Sequence, residues 1–167
     1  STKSNSDLGI SLSAFNLTTD TPIGNIPVEC AYQGSKKYRE IGLKKEFYNV
    51  NPLVIKKIIK EENIDKYILE SFNFFGEIWN LEPREAFYSW LYIKALEENK
   101  LISNELLKFK AFIDIEFNPK KSINCQARAC AMYVSLKKTN TIETALQNKK
   151  SFLSIFKNHQ LDLFRNY

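Results

Sequence analysis

Five helix-start signals are spread along the chain, and they limit it to short helices separated by turns. Pro27 suits a first helical position and opens PVECAYQGSKKY; Asn51-Pro52 opens LVIKKIIKEEN; Pro83 opens REAFYSWLYIKALEEN. Ser122 can cap a helix from about residue 123 to 136, and Asn140-x-x-Glu143 is a capping-box pattern for a last helix through about Phe156. Between these starts lie segments of strand character. Residues 108–117 (KFKAFIDIEF) alternate with period two, setting Phe109, Ala111, Ile113, Ile115 and Phe117 against Phe112, Asp114 and Glu116. Residues 67–75 (YILESFNFF) run into Gly76, and residues 8–14 (LGISLSA) read as a short strand entering the turn-rich loop FNLTTDTPIGN. The expected architecture is α+β: a predominantly helical single domain, residues 1–167, packed around a small β-sheet.

Composition narrows the function classes. With 167 residues, 44% hydrophobic and 26% charged, the chain has a globular balance and room for one sizeable core. Its net charge of +5 and pI near 9.0 favour anionic partners. Twenty of the 24 cations are Lys, which argues against Arg-based reading of guanine edges. Three cysteines without CxxC spacing and one histidine give neither a disulfide framework nor a zinc site, so no metal is expected. No export signal or membrane-spanning run is legible, and the expected setting is a reducing cytoplasm with no membrane partner. Gly-rich phosphate loops and the GxSxG elbow are absent.

Three groups of residues could carry chemistry. Glu29, Gln33 and Lys36 follow i, i+4, i+7 spacing, so a continuous helix would project a carboxylate, an amide and an ammonium from one face. Such a strip is more often a solvated polar face, but the flanking Val28 and Tyr32 supply apolar bulk that can bury the carboxylate beside the ammonium. Asp114 and Glu116 share one side of the expected strand, as paired carboxylates do at the anomeric carbon of a glycoside, or as the wet face of a half-exposed strand does. Asn124 falls in the first turn of a helix whose N-terminus, with Lys120 and Lys121 before it, can receive a phosphate; a plain turn role is equally compatible. Phe15, Tyr32, Trp79 and Trp90 can stack on a base, although aromatics at such spacings more often form core.

The segment FNLTTDTPIGNIPVECAYQGSK resembles the opening motif of the NADAR domain family, a Phe-Asn loop followed by E-x-x-[YF]-Q-x-x-K, here Phe15, Asn16, Glu29, Tyr32, Gln33 and Lys36. FFGEIWNLEPREAFYSWLYIKAL and FIDIEFNPKKSINCQARACAMYVSL look like the later blocks of the branch encoded beside DarT-type DNA ADP-ribosyltransferase toxins. The resemblance spans roughly residues 12–136. The chain departs from the wider family at Cys30, where many members have His, and at Phe117 and Asn124-Cys-Gln-Ala in the last block.

The resemblance implies an N-glycosidase, in this branch an antitoxin that hydrolyses ADP-ribose from the amino group of guanine in DNA. It implies catalytic roles for Glu29 (water activation or oxocarbenium stabilisation), Lys36 (proton donation or transient imine formation) and Asp114 (holding ribose hydroxyls or assisting the base). Phe15, Asn16, Tyr32, Gln33, Trp79, Trp90, Glu116, Asn118 and Asn124 are the matching substrate-binding candidates. No cofactor is required, and the implied partners are ADP-ribosylated DNA, or another ligand containing ADP-ribose, and a DarT-like toxin. Two alternatives remain open on sequence: an N-glycosidase for a phosphorylated ribosylaminopyrimidine of riboflavin synthesis, and a non-catalytic antitoxin that binds toxin or modified DNA.

Overall fold

The computed structural model describes residues 1–113 and 124–165. Asp114, Glu116, Asn118, Ser122 and the second half of the expected 108–117 strand lie outside the described residues.

The chain opens with helix α1 (Asp7–Ser11), not the strand expected over residues 8–14. Local capping decides this: the Ser6 hydroxyl accepts a hydrogen bond from Gly9 N–H, and Asp7 places negative charge at the helix start. The turn-rich loop that follows is itself a hairpin, β1 (Thr18–Thr21) paired antiparallel with β2 (Gly24–Pro27). Helix α2 (Val28–Ser35) starts directly after Pro27 and ends one residue before Lys36, which opens strand β3 (Lys36–Tyr38).

After β4 (Gly42–Leu43) and a 3-10 turn (Lys45–Asn49), α3 (Pro52–Glu61) is capped by the Asn51 side chain, as its Asn-Pro start predicts. A second 3-10 turn (Ile64–Lys66) leads into β5 (Leu69–Phe74) and β6 (Glu77–Trp79), joined through Gly76 at φ +101°. These strands form an antiparallel sheet in the order β4-β3-β5-β6, with Lys36 opposite Phe72. Helices α4 (Ala86–Glu98), α5 (Lys100–Leu106), α6 (Gln126–Lys138), α7 (Ile142–Gln147) and α8 (Lys149–Arg165) complete the domain. The α+β, mainly helical expectation holds.

Helix α4 is the centre of the fold. Its first eight residues and Ala95 and Leu96 are buried, so it is apolar nearly all round, as suits a helix enclosed by others. Lys94, near its end, reaches the hairpin, donating to Thr19 Oγ1 (2.9 Å) and the Asp20 carbonyl (2.8 Å). Glu98, one turn on, accepts from Thr19 Oγ1 (2.7 Å) and Asp20 N–H (3.1 Å). This clamp fixes the hairpin that delivers the chain into α2.

Two expectations near the C-terminal half are corrected. Residues 108–113 form no strand with any of the described residues: Phe109 is half exposed and Ile113 is 91% exposed, while Phe112, assigned to the opposite face, packs against the core. A period-two pattern without a ladder partner does not make a sheet. The last helix is broken in two. Asn140 adopts a left-handed conformation (φ +54°) that closes α6, Thr141 occupies the start of α7, and Asn148 caps α8 by accepting from Ser151 N–H (2.9 Å).

Candidate active site

Helix α2 exists because its entry is pinned at both sides. Val28 N–H donates to the Leu17 carbonyl and Glu29 N–H to the Ala14 carbonyl, both at 2.9 Å. The Ala14 N–H is in turn held by Gln126 Oε1 at the start of α6, at 2.9 Å. The three segments that carry Phe15, Glu29 and Asn124 are thereby tied at one place.

Gly34 sets the depth of α2 in the fold. A Cβ there would lie 2.4 Å from the Tyr48 ring, so glycine is what admits that ring. The ring is fixed by Ser35 Oγ (3.1 Å), by donation to the Asn73 carbonyl (3.2 Å) and by stacking on Phe75 (4.6 Å between centroids).

Along α2, Gln33 Nε2 donates to Glu29 Oε1 at 2.9 Å, one helical turn apart. The Gln33 Oε1 atom is buried and has no partner among the described residues. Lys36 is not on the helix, so the i, i+7 argument for its placement fails. Its side chain nonetheless returns to the same region, because the first residue of β3 directs it back over Tyr32, with Nζ 5.1 Å from the ring centroid. Burial pushes the Lys36 amine below the ordinary lysine range, while the charges of Glu29 and Asp65 work in the opposite direction. The Tyr32 hydroxyl is pushed up, chiefly by burial and also by Glu29, against a hydrogen bond with Asn124 that lowers it.

Two clefts adjoin here. One, of about 510 Å³, contains Lys36; the other, of about 410 Å³, contains Glu29 and Phe15. Tyr32, Gln33, Tyr88 and Asn124 line both and form the wall between them. The first lies within the usual size of ligand pockets, roughly 300–1,000 Å³.

Of the sequence candidates, Phe15, Glu29, Tyr32, Gln33, Lys36 and Asn124 are brought together. Asn16 is not: it is exposed and its amide donates to the Ile10 carbonyl (2.9 Å), closing α1. Trp79 (1% exposed) and Trp90 (8%) lie in the core, 5.0 Å apart, in an aromatic cluster with Phe74 and Phe87. Neither indole lines either cleft, so stacking of a substrate base on Trp79 or Trp90 is corrected to a packing role. Asp114, Glu116 and Asn118 lie outside the described residues.

Glu85 was not legible in sequence. It lines the Lys36 cleft with its carboxylate 8% exposed, pairs with Arg128 of α6, and sits in a left-handed backbone (φ +64°) just before α4. Burial raises its carboxyl pKa against the lowering effect of Arg128. Only its position after Pro83 hinted at a helix start; the pairing with a residue 43 positions away gives no local signal. Cys30, the departure from the family's His, faces away from both clefts. It is buried beside Tyr38, Phe47, Ile55 and Ile64, its thiol donates to the Val50 carbonyl (3.1 Å), and burial pushes it up to about 11.

Fold and site together define a small α+β domain that gathers a carboxylate, amides and a desolvated amine at the meeting point of two clefts. The chain belongs to the DarT1-associated NADAR antitoxin family, whose sequence profile matches residues 1–164. The match extends the resemblance at both ends, through the helices after Leu136. No curated protein matches the chain. No helix among the described residues is long and apolar enough to cross a membrane.

Proposed function

We propose that this antitoxin is an ADP-ribosylguanine hydrolase, cleaving the bond between ribose C1 of ADP-ribose and the amino nitrogen of guanine in DNA. The observation that carries the reading is the placement of a desolvated Lys36 amine and the Glu29 carboxylate in adjoining clefts that share Gln33, Tyr32 and Asn124. An exocyclic amine leaves poorly without a proton, and an anomeric carbon can be attacked from one side while the leaving nitrogen is protonated on the other.

Burial of Lys36 favours the neutral amine, the form that attacks carbon. Its lone pair forms a bond to C1 as the C1–N bond breaks, and the attached nitrogen, now cationic, gives one of its two protons to the departing guanine nitrogen. Ring opening, with the ring oxygen taking a proton from solvent, gives a protonated imine. Water, losing its proton to Glu29, adds to that carbon; the C–N bond to Lys36 then breaks and the amine is restored. In the alternative route Lys36, as ammonium, gives its proton to the leaving nitrogen, and water activated by Glu29 attacks C1 directly. Gln33 orients Glu29, and its unpartnered oxygen is an acceptor for a substrate hydroxyl or the water. Asp114 would supply the second carboxylate, holding ribose hydroxyls or assisting the base.

The test uses purified modified DNA and one-hundredth its molar amount of protein. Release of ADP-ribose well beyond one equivalent of protein supports hydrolysis. Release no greater than the protein added favours a sequestering antitoxin, and turnover confined to a ribosylaminopyrimidine moves the activity to a small metabolite.

A further inference from the structure

The two clefts differ in charge. In the Lys36 cleft the Lys36 amine and the Arg84 guanidinium lie among the carboxylates Glu82 and Glu85, and Arg84 is already turned toward Glu82 (3.4 Å). A strand with a phosphate at every nucleotide meets two carboxylates there, whereas ADP-ribose brings a single diphosphate, for which Arg84 at the exposed rim is the partner. A buried carboxylate held by Arg128 is instead suited to accept hydrogen bonds from ribose hydroxyls, as acidic residues do in nucleotide sites.

The Glu29 cleft opens on helix α3, whose exposed Leu53 and Lys56 line it. Lys60 lies one turn beyond Lys56 on the same exposed strip. Lys57 pairs with Glu61 (3.7 Å), whereas Lys56 and Lys60 make no ion pair among the described residues. Uncompensated ammonium groups beside an open cleft attract a phosphate backbone.

We propose that the substrate lies across the site in one direction: the nucleic-acid strand on the α3 side, its phosphates on Lys56 and Lys60 and its guanine in the Glu29 cleft, with the ADP-ribose in the Lys36 cleft and a ribose hydroxyl on Glu85. This rests on the hydrolase reading for the substrate's identity, but the direction is tested by binding alone. The scissile bond then falls at the Gln33 wall, between the two groups that act on it.

The experiment measures two affinities, for an unmodified guanine-containing single-stranded oligonucleotide by fluorescence anisotropy and for free ADP-ribose by calorimetry. The Lys56→Glu/Lys60→Glu double variant should weaken oligonucleotide binding by about tenfold or more at low salt and reduce the log–log salt slope by about 1.4, some 0.7 per lost phosphate contact. Its ADP-ribose affinity should stay within about twofold of wild type, since a free ligand in the other cleft makes no strand contact. Glu85→Gln should do the reverse.

Acetylation of the wild-type protein gives a second measurement independent of any variant's folding: ADP-ribose should protect Lys36, and the oligonucleotide Lys56 and Lys60. Equal loss of both ligands in the double variant, unchanged oligonucleotide binding, no binding of either ligand by wild type, or crossed protection would overturn the assignment. If the two ligands separate as stated but modified DNA is not hydrolysed, the subsites stand and the hydrolase reading falls.

Discussion

The Lys36 amine lies over the Tyr32 ring, 5.1 Å from its centroid, and the two side chains come from different elements, a strand and the helix before it. The ring packs against Phe72, Phe87 and Tyr88, and burial in this surround holds the amine below the ordinary lysine range. Such a site stores instability in return for reactivity.

Lys36→Met keeps the length and removes the charge, so it should abolish turnover while raising the melting temperature at neutral pH. In a chain of this size each kcal/mol gained shifts the midpoint by on the order of 2–4 °C. The sign follows from linkage: the folded-state pKa is depressed, so the fold binds fewer protons than the unfolded chain and wild-type stability recovers as pH rises toward the ordinary lysine value of 10.5. The gap between variant and wild type should therefore narrow with rising pH, as read by thermal melts across a pH series.

The pH dependence of the rate separates the two routes for Lys36. Attack by the neutral amine predicts a rate that rises as pH passes upward through its lowered pKa, together with a borohydride-trapped ADP-ribose adduct on Lys36 found by mass spectrometry. A rate that falls over that range, with no adduct, assigns proton donation.

Glu29→Gln preserves the hydrogen-bonding shape toward Gln33 and removes the negative charge. It should slow hydrolysis by about a hundredfold or more, with the melting temperature little changed. Asp114→Asn should impair both KM and kcat, and wild-type rates in either variant would relocate the chemistry.

Gly34→Ala tests the packing beneath the site. The added methyl group meets a Tyr48 ring held on three sides, so the substitution should destabilise the fold by about 1–3 kcal/mol, measured by denaturant unfolding.

Much of this was legible where the determining interaction is local. The Asn51 cap and the Glu29–Gln33 pair both follow from residues within one or two turns. Lys36 was placed beside Glu29 for the wrong reason: helical spacing suggested it, whereas a helix-to-strand transition at Ser35 achieves it through pairing with β5, more than thirty residues away. Glu85 was missed because its meaning depends on Arg128, and Trp79 and Trp90 were misassigned because an aromatic's role is set by what surrounds it in space. The 108–113 pattern shows the converse, a strand signal with no partner strand among the described residues.

The central claim is that the bond broken joins ribose C1 to guanine nitrogen, and the mass of the DNA after reaction tests it most directly. An oligonucleotide bearing one ADP-ribosylguanine should return to its unmodified mass, with intact ADP-ribose in solution, and should keep its added mass with Lys36→Met. An oligonucleotide left carrying ribose phosphate, which places the cut at the diphosphate, or one whose mass does not change with wild-type protein, would contradict the account.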